Sequence, residues 1–403
     1  MINIAVMGYG TVGAGVVEVI QHNQKEVSTK AGDAINVKYI LDIRKFPGDP
    51  NENLITDDYE KIINDPEIKI ICETMGGLKP AYDFTKRALE KGISVCTSNK
   101  EMVAAYGAEL IAIAKNNNCN YLFEASVGGG IPIIRALNSS LTPERIHGIA
   151  GILNGTTNYM LTKMDEEGES YDDVLATAQK LGYAERNPEA DVEGYDACRK
   201  IAILSSLVYG KTVKFDEIHT EGITKISTAD LAYAKEMGRS IKLLGVSMDI
   251  EGKCFAMVAP FLVDKEDPLY CVRDVFNAVC VDGNMLGKTM YYGKGAGRKP
   301  TASAVVSDVI DAAKHLGKFI FCFWEDEKVE LVPKDNISWK YFIRVKGVDK
   351  ETEIKRLFEN SSVVTTTKCP DEFGLITDRM KERDFLMKIK DIEEVISYIR
   401  IYE

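Results

Sequence analysis

The stretch INIAVMGYGTVG, residues 2–13, decides the fold of this chain. Its first six residues are mostly apolar and predict a short buried strand. Gly8, Gly10 and Gly13 then form the pattern GxGxxG, and AGVVEVIQHNQKEV after them predicts a helix. Glycines at this spacing make a tight turn and let the backbone approach a pyrophosphate. A strand before the motif and a helix after it therefore indicate dinucleotide binding, and a glycine turn without a ligand is the alternative.

Predicted strands and helices alternate after this motif. Four more buried strands are predicted at residues 37–41, 69–74, 93–97 and 120–126, with a helix at residues 80–91. The alternation predicts an α/β fold with a Rossmann-type, doubly wound parallel sheet. Ligands of such sheets bind at the carboxyl ends of the strands, where Thr74, Lys100 and Glu124 lie in this chain.

The second predicted strand ends at Asp42. A carboxylate at this position accepts a hydrogen bond from the ribose 2′-hydroxyl of NAD. Arg44 and Lys45 follow at once and are able instead to bind the 2′-phosphate of NADP. The choice between NAD and NADP stays open on these residues.

A second informative stretch is ERNPEADVEGYDACRK, residues 185–200, which precedes a strongly apolar run. Asp196 and Lys200 are four residues apart, which places them on one face of a helix. A lysine that enters a buried helix beside carboxylates is suited to carrying a proton. The alternative is a helix start whose acidic residues merely favour the helix dipole, and this stretch alone does not decide between the two.

The composition of the 403 residues excludes several classes of protein. Hydrophobic residues make up 45% and charged residues 28%, as in ordinary globular proteins. The net charge of −11 argues against nucleic-acid binding, which needs a basic face. We expect neither a signal peptide nor a membrane helix, because the apolar runs are too short. The nine cysteines are scattered without metal-ligand spacing, which favours a reducing cytoplasm over a disulfide framework.

The pattern of predicted elements divides the chain into three domains. Residues 1–130 form the nucleotide-binding Rossmann domain, which residues 293–318 complete. Residues 131–292 form an α+β catalytic and dimerisation domain. Residues 333–403 form a small ferredoxin-like domain, because their elements read roughly βαββαβ, with helices at residues 351–358 and 392–399.

Several blocks of this sequence resemble homoserine dehydrogenases in their order and spacing, over nearly the whole chain. The blocks are GYGTVGAGVV (8–17), TSNKEMVAAYG (97–107), EASVGGGIPII (124–134), GILNGTTNYML (151–161), LGYAE (181–185), DVEGYDACRKIAIL (191–204) and GKGAGRKPTASAVVSD (293–308). That family interconverts L-aspartate 4-semialdehyde and L-homoserine with NAD(P)H, on the route to threonine, methionine and isoleucine. The resemblance therefore implies an NAD(P)-dependent oxidoreductase that acts on the CH–OH group of a small amino-acid substrate.

The resemblance also implies roles for individual residues. The residues that correspond to cofactor-binding positions of the family are Gly8, Gly10, Thr11, Val12, Gly13, Thr74, Lys100, Gly182 and Gly295. Lys200 corresponds to the proton donor, and Lys100 corresponds to a second active-site lysine near cofactor and substrate. Glu185 corresponds to the residue that holds the substrate ammonium, with Asp191 and Asp196 beside it.

A cation site is the next feature that the resemblance implies. Glu124 and the main-chain carbonyls of Val127, Gly129 and Ile131 correspond to a monovalent-cation site, usually for sodium. Carboxylate and carbonyl oxygens are the hard ligands that such a cation prefers. A hinge between domains is the other explanation of the triple glycine. The family further implies a homodimer or homotetramer.

Two departures from the family pattern bear on cofactor choice and regulation. Leu41 stands where many members carry an arginine, which weakens the expected preference for NADP unless Arg44 or Lys45 substitutes. The tail sequence RVKGVDKETEIKRLF, residues 344–358, lacks the ligand loop of a regulatory ACT module. We therefore interpret the tail as a diverged ACT-like domain, which argues against threonine feedback through it.

Three other functions are compatible with parts of the sequence. One is another dehydrogenase of amino-acid-like substrates, such as an aspartate dehydrogenase, which the blocks GTTNYML and DACRK disfavour. A non-catalytic amino-acid sensor would explain the tail, but the lysines and carboxylates are intact. A purely structural assembly protein has no motif in its support.

Overall fold

The computed structural model describes all 403 residues, in two compact units. The first unit comprises residues 1–145, 202–215 and 291–329, and the second comprises residues 146–201, 216–290 and 330–403. No helix combines the length and the apolar character that crossing a membrane requires.

The strands, numbered in chain order, begin with β1 (Ile2–Met7), β2 (Ile35–Leu41), β3 (Ile55–Thr56), β4 (Ile68–Glu73), β5 (Ser94–Thr97), β6 (Tyr121–Leu122), β7 (Ile146–Ile152), β8 (Lys211–Thr212), β9 (His219–Thr220) and β10 (Arg239–Ile250). They continue with β11 (Lys253–Asp264), β12 (Phe276–Gly283), β13 (Gly287–Lys294), β14 (Glu325–Lys328), β15 (Ser338–Lys346), β16 (Ser362–Val364), β17 (Glu372–Ile376), β18 (Met380–Lys381) and β19 (Val395–Tyr402). The helices are α1 (Thr11–His22), α2 (Gln24–Ala31), α3 (Tyr59–Ile63), α4 (Ala81–Glu90), α5 (Lys100–Asn116), α6 (Ile133–Arg135), α7 (Gly155–Glu167), α8 (Tyr171–Lys180), α9 (Glu189–Val192), α10 (Tyr195–Tyr209), α11 (Thr228–Glu236), α12 (Arg298–Lys314), α13 (Glu351–Lys355) and α14 (Glu382–Ile389).

The first unit is built on a six-stranded parallel sheet of order β3-β2-β1-β4-β5-β6. Strand β1 lies at its centre and is buried along its whole length. This strand order is that of a Rossmann dinucleotide-binding sheet. The Rossmann-type fold predicted from residues 2–13 is therefore confirmed.

Helix α12 packs against α1 in this unit. Gly15 permits the close approach, because a Cβ there would lie 3.0 Å from both the Cβ of Ala302 and the main-chain oxygen of Arg298. Val16 of α1 and Val305 of α12 belong to the same buried core. The helix that follows the second glycine-rich turn thus stabilises the helix that follows the first.

The predicted strand at residues 120–126 is wrong beyond β6. Glu124, Ala125 and Ser126 form a single 3₁₀ turn instead. The main-chain amide of Glu124 donates to the carboxylate of Asp308 at 2.9 Å. The amide of Ser126 donates to the carbonyl of Phe123 at 2.9 Å. Neither amide is then available to a neighbouring strand, so the strand ends before the acidic residue.

The second unit is built on a separate mixed sheet of order β13-β12-β7-β10-β11-β19-β15-β17-β16. Its centre is the long antiparallel hairpin of β10 and β11. The aromatic side chains of Phe255, Phe261, Trp339 and Phe373 fill the core on one face of this sheet. The predicted fold class, a parallel Rossmann sheet with a separate α+β region, is confirmed.

The C-terminal tail has the predicted order βαββαβ, with the short β18 added. The predicted helix at residues 392–399 is wrong, because the second tail helix is α14 and Val395–Tyr402 is strand β19. Strand β19 pairs with β15 on one side and with β11 on the other. The tail strands therefore continue the sheet of the second unit, and the division into three domains stays a prediction.

Candidate active site

The glycine-rich turn after β1 has no room for side chains at two positions. A Cβ on Gly8, whose φ is +91°, would lie 2.9 Å from the Cα of Met75. A Cβ on Gly13 would lie 1.8 Å from the oxygen of Gly8 and 2.7 Å from Oγ1 of Thr74. That hydroxyl donates to the carbonyl of Gly8 at 2.9 Å. Thr74, at the end of β4, therefore holds the turn in the shape that these glycines allow.

Helix α1 begins at Thr11, within this glycine motif, and no side chain caps its first turn. The first amides of a helix have no partner within it and, together with the helix dipole, attract a negative group. Gly10, Thr11 and Val12 stand at this open end and are not buried. A backbone cradle free of side chains, at the start of a helix, fits a dinucleotide pyrophosphate.

Asp42 and Arg44 form an ion pair beside the same turn. The Asp42 carboxylate accepts from the amide of Tyr9 at 2.8 Å and from Nη2 and Nε of Arg44 at 2.7 and 2.9 Å. These bonds from Arg44 lower the pKa of Asp42 to about 2. Nη2 of Arg44 lies 3.9 Å from where a Cβ on Gly10 would stand. Leu41 stands where many members of the resembled family carry an arginine, but it is apolar and buried in the sheet. The basic group at this site is therefore Arg44.

Lys100 is the first residue of α5, after the end of β5. Asn99 caps this helix, since its Oδ1 accepts from the amide of Met102 at 3.1 Å. Nδ2 of Asn99 donates to the carbonyl of Gly77 at 2.6 Å. The start of α5 is thus tied to the loop that follows β4.

Glu73 is a buried carboxyl group at this end of the sheet, and its role was not predicted from the sequence. It is fully buried at the end of β4, and burial raises the pKa of its carboxyl group. Its carboxylate accepts from Oγ1 of Thr97 at 2.6 Å and from the amide of Met75 at 2.8 Å. The only signal was an acidic residue that closes an apolar strand.

Glu124 is buried in its 3₁₀ turn, and burial raises the pKa of its carboxyl group. Its two oxygens accept from the amides of Ile134 and Arg135 at 2.9 and 2.8 Å. These two bonds use only part of the acceptor capacity of a carboxylate. Each of its oxygens can therefore accept a further bond.

The triple glycine lies against the turn that contains Gly295. Gly129 has a φ of +54°, and a Cβ there would lie 2.5 Å from the oxygen of Gly295. The amide of Gly130 donates to the carbonyl of Lys294 at 3.2 Å. The structure thus brings two predicted sites, the cation turn and the cofactor glycine at 295, into contact.

Lys200 is buried on α10 in the second unit, with 11% of its side chain exposed. Its Nζ donates to Oδ2 of Asp196 at 2.6 Å, as expected for residues that share one helix face. It also donates to the carbonyl of Leu153, at the end of β7, at 2.7 Å. The lysine is therefore fixed from its own helix and from the β7–α7 turn.

Asn154 is a residue of this site that the sequence patterns do not predict. Its Nδ2 donates to Oδ1 of Asp191 at 2.7 Å and to Oδ2 of Asp196 at 2.9 Å. Its Oδ1 caps helix α7 by accepting from the amide of Thr157 at 2.9 Å. Asp191, Asp196 and the lysine are therefore brought together around one amide.

Gly182 and Glu185 lie on the loop between α8 and α9. Gly182 has a φ of +76° with open space around it, and Glu185 is exposed. Oγ1 of Thr156 donates to the carbonyl of Tyr183 at 2.6 Å, which anchors the loop to the start of α7. Glu185 thus belongs to a solvent-facing loop, unlike the buried aspartate and lysine pair.

Two family models match successive parts of the chain. Residues 8–124 match the NAD binding domain of homoserine dehydrogenase, and residues 132–310 match the model described as homoserine dehydrogenase. A homoserine dehydrogenase of Synechocystis sp. is 45% identical to this chain, over 99% of each protein.

Solved structures are similar over the whole fold. The crystal structure of a homoserine dehydrogenase from Thiobacillus denitrificans has a TM-score of 0.90 and 35% sequence identity, covering 100% of this chain and 98% of that one. A hyperthermophilic archaeal homoserine dehydrogenase mutant in complex with NADPH has a TM-score of 0.66 and 31% identity, covering 77% of this chain and 97% of that one.

Proposed function

The chain belongs to the homoserine dehydrogenase family and is an NAD(P)-dependent oxidoreductase of the CH–OH group, in which we propose that Lys200 moves the proton of the reaction. The observation that carries this proposal is the buried Lys200–Asp196 pair. When bound, NAD(P)H would supply the hydride for reduction of the aldehyde, and NAD(P)+ would accept it in the oxidation of homoserine. Reduction of the aldehyde to homoserine then needs one proton on oxygen.

Lys200 is suited to deliver that proton. Its ammonium has three donor hydrogens, of which Asp196 and the Leu153 carbonyl take two. The third is available to the aldehyde oxygen of aspartate semialdehyde, and in the reverse direction the neutral amine accepts the hydroxyl proton of homoserine. The Asp196 carboxylate holds the Nζ of this lysine at 2.6 Å and so orients it.

We assign the substrate ammonium to carboxylates near this lysine. Asp191 is half-buried beside Asp196 through the shared Asn154 amide, so negative charge is concentrated there. Glu185 is the further partner that the family resemblance implies. Lys100 and Gly182 keep the roles expected from the same resemblance, substrate positioning and cofactor contact.

A direct assay tests this function. Purified protein is mixed with L-homoserine and either NAD or NADP, and the absorbance of the reduced nicotinamide is followed. We expect oxidation of homoserine and no oxidation of L-aspartate. A reversed substrate preference would favour an aspartate dehydrogenase, and no reaction with either substrate would favour an amino-acid sensor.

Arg44 is the group that we propose as the determinant of NADP use. Replacing it by alanine removes a charged partner for the 2′-phosphate while Asp42 stays in place. Since a hydrogen bond to a charged group contributes about 1.5–3 kcal/mol, kcat/KM with NADP should fall about 10- to 100-fold. The value with NAD should change much less, and steady-state kinetics with both cofactors measures the difference.

Arg87→Ala is the matched control for this variant. Arg87 is another partly exposed arginine of the first unit, where it pairs with Glu60. It should leave both kinetic values unchanged. An equal loss with NAD and NADP in Arg44→Ala would contradict the proposed role.

We also propose a monovalent cation, most simply sodium, at Glu124 and the carbonyls of Val127, Gly129 and Ile131. The buried carboxylate and the neighbouring glycine-rich turn are a donor set of hard oxygens, which supports such an ion. At equal ionic strength, sodium chloride should give a higher melting temperature and a faster reaction than choline chloride. Glu124→Gln should lose this difference, and a wild-type protein indifferent to sodium would contradict the site.

We infer a homodimer or homotetramer from the edge of the second sheet. Strand β13 ends that sheet, and Met290 and Tyr292 on it are exposed. Exposed apolar side chains on an edge strand favour contact with another protein surface. A second copy of this chain is the partner that the family implies.

We further propose that the tail is an ACT-like regulatory module. Its strands lie in the order β19-β15-β17-β16, which is the ferredoxin-like order, and α13 and α14 connect them. The missing ligand loop argues against threonine as its effector.

The compartment that we propose is the cytoplasm. All nine cysteines are free thiols, among them the buried neighbours Cys72 and Cys96. Free thiols of this number are typical of a reducing compartment.

A further inference from the structure

Asn154 connects the two aspartates of the site, and we propose that it is a positioning residue for the reaction. Its side-chain amide sets the separation of Asp191 and Asp196 and, through Asp196, the orientation of Lys200. This inference rests on the proposed proton role of Lys200. It adds a specific function for a residue that contacts neither the cofactor cradle nor the reacting lysine directly.

Both hydrogens of the Asn154 amide are used within the site. One bond reaches Oδ1 of Asp191 at 2.7 Å, and the other reaches Oδ2 of Asp196 at 2.9 Å. The same Oδ2 accepts from Nζ of Lys200 at 2.6 Å. The oxygen that holds the lysine is therefore itself held by the asparagine.

The residue before the asparagine makes the other contact with the lysine. The carbonyl of Leu153 accepts from Nζ of Lys200 at 2.7 Å. Consecutive residues of the β7–α7 turn thus fix the ammonium from two directions, one directly and one through Asp196. A small displacement of this turn would displace the proton donor relative to its substrate.

The chemistry of the site explains why an amide suits this position. Two carboxylates that approach the same amide nitrogen repel each other. A neutral group with two N–H donors hydrogen-bonds both of them and adds no charge. Asn154 is 6% exposed, so water competes little for these bonds.

The two ends of the side chain have separable functions. Oδ1 caps helix α7 by accepting from the amide of Thr157 at 2.9 Å, which is a structural contribution. Serine and aspartate cap helices about as well as asparagine does. Neither of them has two N–H donors, so substitution by either keeps the cap and removes the bridge.

The experiment compares Asn154→Ser and Asn154→Asp with the wild-type protein at saturating cofactor. We expect Asn154→Ser to lower kcat for homoserine oxidation about 10- to 100-fold, as happens at metal sites when a residue that orients the ligands is lost. KM for homoserine should rise, because Asp191 loses its fixed position. Asn154→Asp should be the more impaired, since it replaces the donor by a third carboxylate. Both variants leave buried acceptors unpaired and should lower the melting temperature, Asn154→Asp more than Asn154→Ser, so rates are normalised to the concentration of NADPH-binding sites. The affinity for NADPH should stay close to wild type in both.

Ser170→Ala is the matched control for a purely structural effect. Ser170 caps α8 in the same unit, on an exposed surface. Its loss should lower the melting temperature and leave kcat and KM unchanged. Wild-type kcat and KM in Asn154→Ser would overturn the inference, as would a loss of activity no larger than that of Ser170→Ala.

Lys200→Ala, assayed in the same series, separates this inference from the proposed function. An inactive Lys200→Ala together with a fully active Asn154→Ser would remove the role of the asparagine and keep that of the lysine. A fully active Lys200→Ala would instead refute the proton role itself.

Discussion

Gly13→Ala should weaken cofactor binding strongly and destabilise the first unit as well. The new Cβ would lie 1.8 Å from the oxygen of Gly8 and 2.7 Å from Oγ1 of Thr74, so the turn and the start of α1 must separate. Such overpacking costs about 1–3 kcal/mol of the free energy of unfolding. Displacement of the phosphate cradle also moves main-chain donors away from the pyrophosphate. Since a hydrogen bond to a charged group contributes about 1.5–3 kcal/mol, titration of NADPH fluorescence should show a dissociation constant at least about 10-fold higher.

Gly10→Ala is the control that separates folding from binding. A Cβ on Gly10 would meet only Nη2 of Arg44, at 3.9 Å, so the protein itself has room for it. The melting temperature should match the wild type, whereas the methyl group should still weaken the approach of the pyrophosphate. Wild-type affinity for NADPH in Gly13→Ala would show that the turn does not bind the cofactor.

Lys200→Ala is the second substitution with a large expected effect. Positioned general acid–base groups contribute about 100- to 10,000-fold to rate, so kcat for homoserine oxidation should fall by a factor in this range. The affinity for NADPH should hold, because the cradle lies in the other unit. Stopped-flow measurement of a single turnover locates the loss in the chemical step rather than in product release.

Removal of one partner from a buried ion pair also costs stability, about 3–5 kcal/mol. Rates are therefore normalised to the concentration of NADPH-binding sites, which counts folded protein only. Lys163→Ala is the matched control, since it removes a lysine that pairs with Glu167 at the same helical spacing on α7, at a more exposed position. It should change neither kcat nor KM.

Local patterns predicted the first unit well, because a parallel sheet consists of short buried strands with strong apolar signals. They did not predict that the strand at residues 120–126 ends before Glu124, because the bond between Glu124 and Asp308 joins residues 184 positions apart. The helix predicted at residues 392–399 is wrong for another reason. Ile392, Val395 and Ile399 are spaced as on one face of a helix, and only pairing with β15 and β11 selects the strand.

In the candidate site, too, local patterns were predictable and contacts between distant residues were not. Asp196 and Lys200 were predictable as a pair because helical spacing is local. The bridge through Asn154 was not, since its partners lie 37 and 42 residues further along the chain. A polar residue before a helix predicts a cap, and the second function of its amide depends on where other elements place their carboxylates.

We propose that Lys200, rather than Lys100, moves the proton. The most direct test is kcat for homoserine oxidation by Lys200→Ala and Lys100→Ala, measured side by side at saturating cofactor and normalised to NADPH-binding sites. We predict that Lys200→Ala is the slower of the two, by at least about 10-fold, and that it loses at least about 100-fold against the wild type. Near-normal turnover by Lys200→Ala would show that Lys200 does not move the proton.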